Sequence, residues 1–450
     1  MKPLVSIFLI ILTVRIHAGS YGDSYGAHPR AQGMASAVTS FVNNCSAPFY
    51  NPAGLGRKNE QELREEKKNL AQTDPNNQTN VNQSNLGRSG FHEICLSYNH
   101  VTPIQQTSLE RRERFANTKD HYGSFGVTLN LNEVYDFGRV VRFGFNILTP
   151  ATGNLLTIND QNPNVARTLQ SGAANERPTI TGGLGIEVWK NHIFVGLGFT
   201  AFARGGGSIL LKNVPISPDP TTPDQQVILQ VKPIINPSLG IQFHYKNFDL
   251  GFSYRRETFL SVDPLASRAQ TTLLGIQLDL DLALLDLYQP KVYSGGLSYL
   301  YLGKWRGAVD VNLEKWSEFK LSRTKLTYSE QIQVKDTTNV RVGLEYLWRD
   351  DTSFRVGYAR RPSAIGDLSG RNNLLDFDKN IYTIGMSYAL TENSGSWFRN
   401  LKKAIIFDLV FDFQSWSPRQ INKSIPTESN PNYSFSGKAY HIGIGITTFL

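Results

Sequence analysis

The sequence contains little of what most enzymes and helical membrane proteins depend on. Its 450 residues include 2 cysteines and 3 methionines, and its mean hydropathy is −0.29. Beyond the N-terminus no apolar run approaches the ~20 residues of a membrane-spanning helix, which excludes a helical membrane protein. The 8 histidines are dispersed, and the His-Glu-x-x-His motif is missing. We therefore predict that the chain is not an enzyme, and we expect no cofactor and no metal.

The formal charge of +8 does not indicate nucleic-acid binding. The 46 Lys and Arg residues are scattered among 38 Asp and Glu residues. A nucleic-acid interface would instead show a basic stripe with interleaved aromatic residues. We expect no nucleic-acid partner.

The N-terminus has the pattern of a secretory signal peptide. Lys2 is followed by an apolar stretch from Pro3 to Val14. Ile16-His17-Ala18 then ends in a small residue before Gly19, as a signal-peptidase cleavage site does. We assign residues 1–18 as the signal peptide, with an uncleaved anchor as the weaker alternative. Export places Cys45 and Cys95 in an oxidising compartment, where they either form a disulfide or stay as buried thiols.

The mature chain alternates apolar and polar residues, which predicts β-strands with one apolar face. After Lys246-Asn247, for example, Phe248 to Tyr254 puts every second residue on an apolar face. Tight connections such as Lys190-Asn191 and Gly303-Lys304 alternate with long polar stretches, roughly residues 205–226 and 263–289. This rhythm is typical of outer-membrane barrels. We predict an all-β, transmembrane antiparallel barrel of about 14 strands with both termini in the periplasm.

Aromatic residues favour a membrane barrel over a soluble β-sandwich, which shares the alternation. Strands that lead into short turns end in residues such as Tyr245 and Tyr346, and strands that leave them begin with Phe248 or Trp305. These are the positions of an aromatic girdle at lipid headgroups. Since a barrel of this size has a lumen that must be filled or left open to water, we expect the N-terminal residues to form a hatch, or plug.

Several motifs resemble the FadL/TodX family of outer-membrane transporters. They are a small-residue segment from Gln32 to Ala37, followed by Asn51-Pro52-Ala53-Gly54; two central hairpins, through Pro237 to Arg255 and through Gln289 to Trp316-Ser317; and Arg341-Val342-Gly343 with Arg355 to Tyr358. The resemblance covers nearly the whole mature chain. It implies capture of long-chain fatty acids or hydrocarbons outside, binding in a lumen closed by a hatch, and passive, lateral release. The chain departs from the family pattern in three places: it has an insertion after residue 56, it ends in Leu450, and its third strand shows no clear kink for the lateral exit.

We assign the hatch to residues 19–56, a polar insertion, periplasmic or lumenal, to 57–89, and the barrel to 90–450. Asn51, Pro52, Ala53 and Gly54 would form a fixed turn in the hatch. The expected partners are a fatty acid or another apolar small molecule and outer-membrane lipid, with the chain acting as a monomer. Two other functions stay open: a polar-solute porin, and a structural or secretion-associated barrel without substrate.

Inward-facing arginines are candidates for holding the carboxylate of a substrate, because the guanidinium binds carboxylates in bidentate geometry. The alternative is a set of lumenal ion pairs. The candidates are Arg255, Arg341, Arg355 and Arg306.

Two further groups of residues are tied to the expected route. Gly144 and Asn146, close to Thr149-Pro150, are candidates for a lateral opening, since glycine and proline interrupt a strand ladder; an ordinary strand end is the alternative. Apolar residues in the long connections suggest a capture groove, although extended strand pairing explains them equally well. These residues are Leu210, Leu211, Ile216, Leu274 and Ile276.

Overall fold

The computed structural model describes residues 21–65, 91–109, 120–150, 167–168, 178–212, 224–261, 265–273, 276–282, 285–318, 334–370, 374–394, 401, 403–427 and 430–450. The predicted signal peptide and most of the predicted insertion lie outside these residues. Among the described residues no helix combines the length and hydropathy needed to cross a bilayer.

The N-terminal part consists of short helical segments. They are α1 (Tyr21–Tyr25), α2 (Pro29–Gln32), α3 (Ala47–Tyr50) and a 3-10 turn (Pro52–Gly56). Proline lies in the first turn of α2, of α3 and of the 3-10 turn, where its missing N–H costs nothing. Residues 60–65 are also helical.

Fourteen long strands follow, and they form the wall of the barrel. They are β1 (Glu93–Thr107), β2 (Asp120–Asn130), β3 (Val141–Pro150), β4 (Thr179–Trp189), β5 (Ile193–Lys212), β6 (Asp224–Tyr245), β7 (Phe248–Arg255), β8 (Lys291–Tyr301), β9 (Trp305–Lys315), β10 (Thr337–Leu347), β11 (Thr352–Arg361), β12 (Lys379–Leu390), β13 (Ile405–Ile421) and β14 (Tyr433–Phe449).

The barrel closes because its first strand pairs with its last. Every neighbouring pair is antiparallel, and β1 pairs with β14 from Glu93 opposite Phe449 to Thr107 opposite Phe435. Closure removes the free edges that an open sheet would expose to lipid. The predicted barrel of 14 strands is confirmed.

The tight turns predicted from the sequence join consecutive strands at one end of the barrel. Asn191 (φ 58°), Lys246 (φ 54°) and Gly303 (φ 66°) have the positive φ that such hairpin turns require. The long connections lie at the opposite end.

The predicted facing of the strands is also observed. On β7, Phe248 is 52% and Phe252 48% exposed, whereas Asp249 is 3% exposed on the lumenal face. On β13, Leu409 is 51% exposed and Asp412 2%. The exposed apolar face is the one that meets lipid.

Aromatic rings form two bands on the lipid face. At the short-turn end, Phe248 lies 4.5 Å from Tyr299 and Trp305 lies 4.2 Å from Tyr346, measured between ring centroids. A second band near the long connections was not predicted. It consists of rings in contact across neighbouring strands: Tyr254, Tyr293, Tyr358, Tyr382, Phe413 and Tyr440.

Two stretches predicted as long loops contain strands. Residues 205–212 and 224–226 continue the β5–β6 hairpin as far as Lys212 opposite Asp224. Between β7 and β8, Thr258–Ser261 pairs with Leu285–Gln289, and Leu265–Leu273 pairs with Ile276–Leu282. The prediction of loops there was wrong because polar and proline residues are tolerated where strands leave the membrane.

Candidate functional site: the hatch and the lumen

Residues 21–56 lie inside the barrel and form its apolar core. Ala27, Ala37 and Ala47 are fully buried there, and Met34, Leu55, Phe41 and Phe49 pack in the same cluster. The cluster includes wall residues Val101, Tyr122 and Leu148. In this barrel, therefore, the hatch supplies the packed interior that the wide lumen would otherwise lack.

Asn51 of the predicted hatch motif links the hatch to the wall. It is fully buried, and its Oδ1 accepts the Ala53 N–H at 3.1 Å. Its Nδ2 donates to the carbonyl of Thr39 at 2.8 Å and faces those of Ile241 (3.2 Å) and Phe252 (3.3 Å). One amide therefore holds the hatch turn and bonds two wall strands.

Glycines in the wall make room for this motif. A Cβ on Gly240 would lie 1.9 Å from Asn51 Oδ1, and a Cβ on Gly196 would lie 2.2 Å from the carbonyl carbon of Pro52. Neither contact is sterically allowed. Pro52, Ala53 and Gly54 are buried together with Asn51. The motif thus docks where the wall has no side chains.

The structure joins Cys45 of the hatch to Cys95 of β1 by a disulfide, with Cα atoms 6.3 Å apart. Thr447 Oγ1 donates to Cys95 Sγ at 3.4 Å. The bond ties the hatch to the strand that closes the barrel.

The first residues of the predicted insertion also contact the lumen. Arg57 forms an ion pair with Asp249 on β7 at 2.9 Å, and Glu62 is hydrogen bonded to Arg142 on β3. Glu60 pairs with Arg30 of the hatch at 2.6 Å. Although burial raises the pKa of Glu60, the charges of Arg30 and Arg64 lower it to about 2. Ion pairs therefore attach residues 57–65 to the barrel wall and to the hatch.

One cleft lies on the side of the hatch that faces the long connections. Its lining includes Asp23, Ser36, Arg341, Arg361 and Thr383. Arg341 donates one long hydrogen bond, 3.4 Å, to the carbonyl of Ser36, and Arg361 donates to the carbonyl of Asp23 at 3.0 Å. We name this the outer cleft. It is polar and has two guanidinium groups on its wall.

The other arginine candidates are held by protein groups. Arg255 forms an ion pair with Asp23 at 2.6 Å. Arg355 is 3% exposed and bonds Glu345 at 2.8 Å through Nε. Arg306 stacks 4.6 Å above the Phe41 ring and lies 3.4 Å from Glu345. As predicted, the four side chains face the lumen; among the described residues, Arg341 is the one of the four that forms no ion pair with a carboxylate.

A second cleft, the inner cleft, lies nearer the short turns and is lined by Ala31, Met34, Phe41, Glu345 and Arg355 among others. Hatch residues 31–36 separate the two clefts, since Ala35 and Ser36 line the outer one.

The backbone between the clefts is strained. Ala35 (φ 49°) and Ser36 (φ 61°) are consecutive non-glycine residues in the left-handed region. Such conformations cost about 1–3 kcal/mol each and persist only where neighbours enforce them. Here Thr383 accepts the Ala35 N–H at 3.1 Å and donates to the carbonyl of Gly33 at 3.0 Å.

The lateral-opening candidates lie in a continuous ladder. β3 pairs without a register shift with β2 and with β4 over the described residues. A Cβ on Gly144 would lie 2.5 Å from the side chain of Leu55, so the hatch covers this glycine from inside. Asn146 is fully buried, and within the described part of the chain its amide forms no hydrogen bond. An opening at this strand would have to break ladder bonds.

The capture candidates are only partly described. Leu210 and Leu211 lie in the extended β5, opposite Gln226 and Gln225, and Leu211 also pairs with Ala269. Ile276 begins a strand. Ile216 and Leu274 lie outside the described residues.

Sequence reasoning missed several residues of the site. Asp23, Glu60, Glu62, Arg57 and Arg361 were not candidates. Arg361 is an even number of residues from Arg355 on β11, so both side chains face the lumen. The strand pattern could therefore have predicted Arg361 as a lumenal residue. Asp23 of the hatch and Glu60 and Glu62 of the insertion gave no such signal, since their partners lie far away in the sequence.

A barrel whose own N-terminal segment fills the lumen, with a cleft on each side of that segment, is a plugged outer-membrane β-barrel. The family model described as outer membrane protein transport protein (OMPP1/FadL/TodX) matches residues 236–395. The resemblance seen in the sequence is confirmed over this part of the chain. The description of the family as transport proteins agrees with the prediction that the chain is not an enzyme.

Individual relatives are distant. Alkane uptake protein A of Marinobacter nauticus is 22% identical over 436 residues, which cover 89% of this chain and 85% of that protein. The crystal structure of a Pseudomonas aeruginosa FadL homologue has a TM-score of 0.53 at 13% identity, covering 94% of this chain and 97% of that chain. The TodX deltaS2S3 mutant monoaromatic hydrocarbon channel has a TM-score of 0.50 at 13% identity, covering 94% and 98%. These structures share the fold.

Proposed function

We propose that the protein takes up hydrophobic small molecules across the outer membrane, and that a long-chain acid binds in the outer cleft on its way past the hatch. The observation that carries this proposal is the outer cleft itself, where the Arg341 guanidinium forms, among the described residues, one hydrogen bond, which is 3.4 Å long. The uptake named for the Marinobacter nauticus relative supports the hydrophobic class.

The polarity of the outer cleft favours an acid over a neutral hydrocarbon among these substrates. Beside a hydrocarbon the Arg341 guanidinium, whose hydrogen bond to Ser36 is 3.4 Å long, would lose water without compensation, whereas a carboxylate would bind it. The hatch argues against the polar-solute porin, because its core packs against the wall in the lumen.

The orientation follows from the connections. Outer-membrane barrels carry short turns on the periplasmic side and long connections outside. We infer that both termini are periplasmic, that the outer cleft faces the cell exterior, and that the apolar face contacts outer-membrane lipid. The chain acts as a monomer in this proposal.

The experiment compares uptake of a radiolabelled long-chain fatty acid and a long-chain alkane by cells that lack their own transporter. Arg341→Ala should lower uptake of the acid about tenfold, the equivalent of one lost charge-assisted hydrogen bond, and leave alkane uptake unchanged. Arg256→Ala is the matched control, because Arg256 is 57% exposed and lies one residue from Arg255.

Three results would contradict the proposal. Wild-type protein that supports uptake of neither compound would refute transport. Equal loss of both activities in Arg341→Ala would assign Arg341 to hatch packing. Unchanged acid uptake would place the route outside the outer cleft.

The exit is proposed as lateral, at Gly144 and Asn146 on β3. Val127 and Phe145 are opposite each other on β2 and β3, and both face away from the native disulfide. A double variant Val127→Cys, Phe145→Cys should stop uptake when oxidised and restore it when reduced. Uptake that is insensitive to oxidation, once cross-linking is verified, would exclude this exit.

A further inference from the structure

Two histidines face each other on the outside of the barrel, near the end that carries the long connections. His100 of β1 and His121 of β2 are direct cross-strand partners. They share the outward face with Tyr98, which is 48% exposed. Their Nδ1 atoms are 3.3 Å apart, and their ring centroids are 4.5 Å apart. The hairpin backbone fixes this pair.

The separation of the two nitrogens matches the requirement of one metal ion. Zinc binds imidazole nitrogen at about 2.0–2.1 Å in tetrahedral geometry, so two nitrogens on one ion lie about 3.4 Å apart. The observed 3.3 Å between the Nδ1 atoms meets this value. An ion could therefore bind both rings after small side-chain rotations, with no change of the backbone.

Neighbouring groups fit the same chemistry. Thr102 Oγ1 lies 3.1 Å from His100 Nε2, and a proton on Nε2 that is donated to this hydroxyl leaves the lone pair on Nδ1, facing His121. In metal-binding histidines, an acceptor for the ring N–H that faces away from the metal fixes the tautomer. The hydroxyl of Tyr98 is hydrogen bonded to His121 Nδ1, which brings an oxygen donor to the same point.

Three of the other described histidines contact carboxylates. His92 lies 3.0 Å from Glu133 and His244 lies 2.7 Å from Asp249. His441 is buried between Asp412 and Asn99. The pair of His100 and His121 differs from these, because two ring nitrogens lie within 3.3 Å of each other.

We propose that His100 and His121, with Tyr98 beside them, form a surface site for a divalent transition-metal ion of the zinc class. The expectation of no metal, drawn from the dispersed histidines, does not anticipate it, since 21 residues separate the two histidines in the sequence. The site lies on the outer wall, apart from the outer cleft, and is independent of the transport proposal.

The test is titration of Zn²⁺ into the mature, detergent-solubilised protein, purified without a polyhistidine tag and stripped with a chelator. Calorimetry should give one ion per chain. His100→Asn and His121→Asn should each weaken binding at least tenfold, and Thr102→Val about tenfold. His92→Asn is the matched control and should bind as the wild type does. The heat-dependent gel mobility of each variant verifies that the barrel is folded.

Electron paramagnetic resonance with Cu²⁺ supplies a readout that folding does not affect. Two nitrogen ligands should appear in the wild type and one in either single variant. Equal affinity and stoichiometry in the wild type and in the His100→Asn, His121→Asn double variant would overturn the site. So would a wild-type protein that binds no Zn²⁺, which would leave only a pair of tilted imidazole rings in contact.

Discussion

The carboxylate of Asp23 on the hatch and the guanidinium of Arg255 on β7 lie 2.6 Å apart. Asp23 also lines the outer cleft, so its charge faces an entering carboxylate. Asp23→Asn should remove this repulsion and free Arg255 for a ligand. We expect acid uptake to rise two- to threefold, roughly the value of a weak ion pair, with alkane uptake unchanged. Labelled-substrate uptake measures both; a fall in acid uptake with a folded hatch would contradict the prediction.

Gly240 and Asn51 lie too close for any side chain between them. Gly240→Ala should displace the hatch and raise the ion conductance of single barrels in planar bilayers. The matched control is Gly307→Ala, because a Cβ on Gly307 meets no atom within 4 Å. Equal conductance in the two variants would show that the hatch does not depend on this contact.

The disulfide between Cys45 and Cys95 closes a segment of 50 residues. The chain-entropy relation for a loop of this length gives about 4 kcal/mol of stabilisation. Cys45→Ser should therefore release the hatch to protease while the barrel stays resistant. Since either substitution breaks the same bond, Cys95→Ser and the double variant should give the same digestion rate. A double variant that is clearly worse than both single variants would argue against the bond.

His28 of the hatch is fully buried, and its Nδ1 accepts the Arg30 N–H at 3.3 Å. Burial lowers its pKa from the ordinary 6.5; Asp408 opposes this shift, and the charges of Arg30 and Arg355 add to it. The docked hatch therefore holds His28 neutral, whereas an undocked hatch takes up a proton below about pH 6.5. The stability of docking is complete above that pH and falls as the pH drops towards the lowered pKa.

Conductance should consequently rise between about pH 7 and about pH 5. His28→Asn keeps a capping acceptor without a titrating group, so its conductance should change less over this interval. An identical pH profile in the variant and the wild type would assign the effect to other groups.

The barrel was predictable because a period of two residues encodes the facing of each strand. Phe248 and Asp249 differ in environment only by parity, and the structure gives 52% and 3% exposure. Strand ends were harder to predict. Residues 205–212 leave the membrane, where lipid no longer imposes alternation, and only pairing with residues 224–231 shows that they are strand.

The sequence predicted which arginine side chains face the lumen, but it could not predict which groups they bind there. Parity places Arg355 and Arg341 in the lumen, but it cannot tell that Arg355 is saturated by Glu345 and two serines while Arg341 is not. Which hatch groups meet which wall groups depends on how a non-repetitive segment packs. The boundary at residue 56 and the capture role of Leu210, Leu211 and Ile276 stay predictions.

The covalent link to β1 has a consequence for biogenesis. β1 pairs with β14 to close the barrel, and β1 also carries Cys95, which binds the hatch covalently. Barrel closure and hatch attachment therefore involve the same strand. Once Cys45 and Cys95 of the exported chain are oxidised, the hatch is covalently attached to β1. A bond formed before β14 pairs with β1 would bring the N-terminal segment into the barrel as it closes.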